Sequence, residues 1–192
     1  MKNNSNQKTA EINFLFEDNS KDNSKNAWVN LSDFQTFDAL KMHLKEIGLE
    51  GSTITKYEKT LFGRGQNELD IVEAINDILE EEKVDIFFEK LYEKRNNQED
   101  SDALIANIAL YNLSCDEIES RRNILTLQGV YQDIFSFLID NLSLSFANTC
   151  FDLTEYFDLR SFRDDMFYSD ESQYRFVEEL NSKGESRYFI FD

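Results

Sequence analysis

Hydrophobic and polar positions change rhythm several times along this chain, and each change marks an element. Glu11–Phe16 alternates weakly and is rich in aromatics, which predicts a strand. A polar, turn-rich stretch over 17–26 follows, then a second short strand at Ala27–Leu31. Ser32 or Asp33 opens a loop or cap ahead of a helix over Thr36–Ile47, which Gly48 ends. Thr53–Tyr57 is β-branched and strand-like again. The order β-β-α-β within about sixty residues predicts a small α+β domain.

After Gly63-Arg64-Gly65 the rhythm turns helical. Asn67 stands where a cap belongs for a helix reaching about Glu82, with Ile71, Val72, Ile75, Ile78 and Leu79 at helical spacing. Asp70, Glu73, Asp77, Glu80 and Glu81 occupy the other side. Val84–Lys94 predicts a helix with Phe87, Phe88 and Leu91 inward; Asp102–Leu113 predicts a third, and Asp116–Glu119 starts a short fourth. The polar run Arg95–Asp100 is the strongest internal boundary. Asn123–Leu127 reads as strand or loop, and Gly129 precedes a helical pattern of Val130, Ile134, Phe137, Leu138 and Leu142. Thr154–Met166 reads as one or two short helices. Tyr174–Leu180 and Ser186–Phe191 predict a β-hairpin turned at Gly184. There is no proline, so turns depend on Gly, Asn, Asp and Ser. The expected organisation is α+β throughout: an N-terminal domain over 1–62, a helical middle domain over 63–122 and an acidic C-terminal α+β domain over 123–192.

Composition alters this picture mainly through charge. Seventeen Phe and eight Tyr in 192 residues give ample material for a core. Against that stands a formal net charge of −18. Such a surface disfavours direct binding to nucleic acid and favours a cationic partner, or a site that normally holds a polyanion. Simple solvation is the bland alternative. Cys115 and Cys150 lie far apart without metal-ligand spacing, which reads as two small core side chains in a reducing compartment. Met1–Lys8 lacks the apolar centre of a signal peptide. Leu104–Leu113, interrupted by Asn107 and Asn112, is too short to span a bilayer. The expectation is a soluble cytoplasmic protein.

Candidate chemistry is thin. His43 is the sole histidine and flanks the apolar stripe of Leu40, Leu44 and Ile47, the setting of a structural histidine. Gly63-x-Gly65 is too short for a phosphate loop. Asp18-Asn19-Ser20-Lys21-Asp22-Asn23 superficially resembles a calcium loop but lacks the glycine at its sixth position and the glutamate at its twelfth. Carboxylates are so numerous that two neighbouring ones carry no information about acid–base catalysis. A non-enzymatic binding protein without cofactor or metal is expected.

The distribution of the charge is more telling. Residues 1–98 carry a net −6 and residues 99–192 a net −12, interleaved with aromatics that must pack. Carboxylates three and four apart on a packed helix sit about 5–6 Å from one another and repel, so keeping them there hints at a use. B-DNA also presents fixed rows of negative charge, one per roughly 3.4 Å of axis per strand. The candidate binding set is Asp70, Glu73, Asp77, Glu80 and Glu81 on one helix, with Asp133, Asp140, Asp152, Glu155, Asp158, Asp164 and Asp165 in the C-terminal part. An acidic inhibitor or immunity-type protein for a basic nuclease or CRISPR effector is the alternative, with one localised patch.

Specific residues sharpen the first reading. Tyr156-Phe157-Asp158-Leu159-Arg160-Ser161-Phe162-Arg163-Asp164-Asp165-Met166 is similar to a C-terminal stretch of the ArdA antirestriction family, followed as there by a short terminal hairpin. Gly129-Val130-Tyr131 before an acidic-aromatic helix, Ala27-Trp28 after a first strand, and Ile54-Thr55-Lys56-Tyr57-Glu58 resemble further family segments in the same order. Asp164 stands where the family carries an arginine, and Thr55-Lys56 where it carries His-Asp. The resemblance implies an elongated chain of small α+β subdomains that forms a homodimer and imitates bent DNA. It further implies a target: the DNA-binding groove of a type I restriction-modification enzyme.

Overall fold

The computed structural model describes residues 9–18, 25–63, 67–120, 127–145, 158–168 and 174–192. Seven helices and two antiparallel sheets lie within them, an α+β fold. The chain forms two compact units, one of Met1–Lys59 with Asp70–Ile124 and one of Thr60–Leu69 with Leu125–Asp192. This grouping puts the N-terminal α+β segment and the helical stretch after it in one unit. The short segment 60–69 joins the C-terminal part instead.

In the first unit, β1 (Asn13–Asp18) lies between β2 (Lys25–Asn30) and β3 (Thr53–Tyr57), antiparallel to both. As the central strand it buries Phe14, Leu15 and Phe16 in succession. Helix α1 (Phe37–Glu46) starts where Thr36 Oγ1 accepts the Ala39 N–H at 3.2 Å. It ends as expected at Gly48, whose φ of +77° a side chain would resist. Leu40 and Leu44 are its buried stripe; His43 flanks them, its ring 5.4 Å from that of Phe34.

Helix α2 (Ile71–Glu80) is capped by Asp70, whose side chain accepts the Glu73 N–H, and not by Asn67. The reason is local pairing: the Gly63 N–H donates to the Asn67 carbonyl at 2.8 Å and the Leu69 N–H to the Leu61 carbonyl at 2.8 Å. These bonds hold 67–69 extended beside the preceding strand, so helical geometry starts three residues later than the pattern suggested. Asn76 then ties α2 to β3. Its carboxamide accepts the Ile54 N–H at 3.2 Å and donates to the Ile54 carbonyl at 2.9 Å. Both backbone groups belong to the outer strand of the sheet, so one side chain satisfies an edge that would otherwise be open there.

Helix α3 (Asp85–Lys94) buries Phe87, Phe88 and Leu91 as the spacing predicts. The polar run Arg95–Asp100 is no domain boundary: Asn97 caps α4 (Gln98–Tyr111), accepting the Glu99 N–H at 3.0 Å, and α3 and α4 pack in the same unit. Ser101 and Asp102 are buried in the first turns of α4, so the polar signal there comes from a cap and buried hydrogen bonding. Asn112, in the left-handed region at φ 48°, ends α4, and α5 (Cys115–Ser120) follows.

The second unit holds a four-stranded sheet in the order β4-β6-β7-β5. Strand β4 (Thr60–Phe62), which the sequence pattern does not predict, pairs with β6 (Arg175–Leu180). β6 and β7 (Ser186–Phe191) form the expected hairpin, with Gly184 at φ +78° in its turn. Gly129 and Val130 lie inside β5 (Leu127–Tyr131), not at the head of a helix; α6 (Ile134–Ser145) begins only after Asp133. Helix α7 is Leu159–Tyr168, and residues 154–157 of the expected helical stretch lie outside the described residues. Ile134, Phe137 and Leu138 of α6, Phe167 of α7, and Phe176 and Ile190 of the hairpin make the core between helices and sheet. Among the described residues no helix is long and apolar enough to cross a membrane.

Candidate acidic interaction surface

Helix α2 sorts its side chains as the 3.6-residue period demands: Ile71, Ala74, Ile75 and Ile78 are buried, while Glu73, Asp77 and Glu80 are exposed. At 1.5 Å rise per residue, Glu73 and Asp77 lie about 6 Å apart along the helix axis and Asp77 and Glu80 about 4.5 Å. None of the three carboxylates forms an ion pair with a described residue. Three charges without an ion-pair partner among the described residues therefore stand along one face over about 10 Å, at roughly two-thirds of the linear charge density of a single DNA strand.

The other members of the candidate set divide by what they hold. Asp70, Asp133 and Asp158 each start a helix. Asp133 accepts the Ser136 N–H at 2.9 Å and the Ser136 hydroxyl at 2.8 Å. Asp158 accepts the Arg160 and Ser161 N–H groups at 3.0 and 3.3 Å and the Ser161 hydroxyl at 2.8 Å. Those hydroxyl bonds, foremost, hold both carboxyls below their ordinary range. All three remain exposed and so still contribute to the field.

Glu81 is only half-buried at the end of α2, and its carboxylate accepts the Cys115 N–H at 2.9 Å. That bond serves the first orphan donor of α5, so Glu81 links two helices. Cys115 itself is fully buried; desolvation first, and the Glu81 charge next, push its thiol up to about 12. Asp164 is exposed and bound by Arg163, Nε at 2.9 Å and Nη2 at 2.6 Å. Asp140 and Asp165 are exposed, and the Asp140 charge, after burial, raises the Tyr131 hydroxyl. Asp152 and Glu155 lie outside the described residues, as do Cys150 and most of the Asp18–Asn23 loop.

The structure thus brings three of the twelve candidates together as one row on α2 without ion pairs to described residues, and assigns Glu81 a structural bond. Two lysines elsewhere are matched at close range: Lys83 lies 2.5 Å from Asp116 and 3.5 Å from Glu119, and Lys41 lies 2.6 Å from Asp38. The Asp116 hydrogen bond, foremost, raises the Lys83 pKa. Trp28, 52% exposed on the outer strand β2, is a further surface feature. It follows Ala27 in the sequence, but nothing in the pattern distinguished it from a core tryptophan. Among the described residues no group of three or more His, Cys, Asp or Glu side chains is placed to hold a metal ion. No protein-family model, curated protein or solved structure matches the chain.

Proposed function

We propose that the chain acts by binding rather than catalysis, as a DNA-mimic inhibitor that occupies the DNA-binding groove of a type I restriction-modification enzyme. The observation that carries this reading is the α2 row of Glu73, Asp77 and Glu80, exposed and free of ion pairs with described residues. A groove built with Lys and Arg for phosphates gains the same charge-assisted contacts from such a row. The carboxylates are held on a helix whose other face is core, so little ordering is needed on binding. The attraction is electrostatic and is screened over about 8 Å at physiological ionic strength.

The test is competition between the purified chain and labelled duplex for a type I methyltransferase core, repeated across salt concentrations. The chain displaces the duplex at low salt and does so less well as salt rises. Glu73→Gln/Asp77→Asn/Glu80→Gln together weaken the displacement strongly, while any one of them has a small effect. No displacement at low salt, or displacement untouched by the triple change, sinks the reading. One observation favours a second reading, an acidic inhibitor of another basic nuclease: the uncompensated charges on α2 form a single local patch, which suits a compact site as well as a long groove. Displacement of duplex from such a nuclease but not from the methyltransferase core decides for it.

A further inference from the structure

A cavity of about 300 Å³ opens in the first unit, bounded by β1, α1, α2 and the loop that leads into β3. Its walls are apolar, from Phe16, Phe37, Leu44 and Leu79. The size is at the lower end for small-molecule sites, which hold roughly 300–1,000 Å³. Two polar features break the apolar lining. Ser52 lines the cavity, and its Oγ is buried without a hydrogen-bond partner among the described residues. A buried hydroxyl left unpaired is unfavourable, and rotation about the Ser52 side-chain torsion into another staggered well would turn it towards a ligand as donor or acceptor. The side chain of Asn76, by contrast, is held by Ile54 through both its oxygen and its nitrogen.

The second feature is charge. Lys41, Glu50 and Glu80 also line the cavity. Lys41 is neutralised by Asp38 at 2.6 Å and rests 4.7 Å from the centre of the Phe37 ring. Glu50 is matched by Lys45 at 3.6 Å. Glu80 has no ion-pair partner among the described residues and is the unmatched charge of the site.

We infer that this cavity is a binding site for a small amphipathic monocation: an ammonium group facing Glu80, an apolar or aromatic body against Phe16, Phe37, Leu44 and Leu79, and a hydrogen-bonding group at Ser52 Oγ. The site does not depend on the α2 row acting as a DNA mimic, although Glu80 belongs to both. Ligand occupancy would neutralise one carboxylate of that row.

Tyramine, phenethylamine and 3-(4-hydroxyphenyl)propionate separate the contributions of cation and hydroxyl. Each is titrated into the ¹⁵N-labelled full chain while amide shifts are followed. Tyramine binds with shifts concentrated at residues 50–53, 76, 79 and 80. Phenethylamine, which lacks the hydroxyl, binds about fivefold more weakly, and the propionate about tenfold or more weakly. Glu80→Gln, at an exposed position, abolishes the preference for amine over carboxylate. Ser52→Ala removes the advantage of tyramine over phenethylamine; the ligand-free spectrum of each variant establishes its fold. Equal binding of amine and carboxylate, an unchanged preference in Glu80→Gln, or an absence of shifts at these amides up to millimolar tyramine overturns the assignment.

Discussion

The Asp102 carboxylate holds the Lys59 ammonium at 2.6 Å, with the aspartate side chain wholly buried and the lysine side chain 10% exposed. Gln98 Nε2 donates to the same carboxylate oxygen at 2.9 Å. Lys59 is the last residue before the chain leaves the first unit, and the pair anchors that point to helix α4.

Breaking this pair from one side removes half of a buried, hydrogen-bonded ion pair, which costs about 3–5 kcal/mol. Asp102→Ala is therefore expected to lower unfolding free energy by about that amount, while Asp102→Ala/Lys59→Met recovers much of the loss. Urea unfolding of the two variants is the measurement. A double variant as unstable as the single would show that packing, not the lost ion pair, sets the cost.

The hydrogen bonds of Asp133 define a second expectation. Because Ser136 holds the folded carboxyl below its ordinary value, the unfolded chain binds that proton more readily. The contribution is fully present above the unfolded pKa of about 3.9 and is lost as pH falls through the lower folded value. Asp133→Ala removes a cap and costs about 1 kcal/mol at neutral pH. The difference from the parent chain shrinks as the pH is lowered below about 3.9, which acid-dependent urea melts can follow. A cost that stays constant down to pH 2 contradicts the capping role.

The same residues show what was legible in the chain. Asp133 and Asp158 cap their helices through Ser136 and Ser161, a local signal that the helical periodicity from Val130 and from Thr154 masks. Gly48, the β-branched Thr53–Tyr57 and Gly184 place the end of α1, β3 and the hairpin because each signal lies within its own element, whereas the cap of α1 is Thr36 and not Ser32 or Asp33, which belong to a separate short turn. Other features depend on partners remote in sequence. Glu81 meets Cys115 34 positions away, and the three-residue β4 exists only because β6 pairs with it. Val130 fits a helical repeat with Ile134, yet β7 takes it into the sheet opposite Phe189. The outward row on α2 was legible from periodicity; its freedom from counter-ions was not, because that depends on where the lysines fold.

On the proposed reading, that row sets binding against stability. Asp77 repels Glu73 four residues before it and Glu80 three after it, each pair at a cost of about 0.2–0.5 kcal/mol. Glu80 also sits at the negative end of the helix dipole. Asp77→Asn/Glu80→Gln is expected to raise unfolding free energy by about 0.5–1 kcal/mol while weakening displacement of duplex from the methyltransferase core. Thermal and urea melts at low salt measure the first effect, which high salt diminishes. A destabilised double variant would mean that these carboxylates have partners which the description of α2 lacks.

Cys115 offers a probe of the first unit's integrity. Its side chain is fully buried, and with the thiol pushed up to about 12 almost no thiolate exists at pH 8. Alkylation by iodoacetamide under native conditions is therefore expected to be slower by orders of magnitude than in urea, where the pKa returns to about 8.5. Mass-spectrometric mapping of the Cys115 peptide distinguishes it from Cys150. Glu81→Gln removes the nearby charge but retains an oxygen able to accept the Cys115 N–H, so reactivity rises slightly and the helix contact survives. Glu81→Ala removes both, freeing the start of α5 and raising the labelling rate further. Equal rates in the two variants would show that the carboxylate acts on the thiol by charge alone and that the bond from Cys115 N–H does not hold α5 in place.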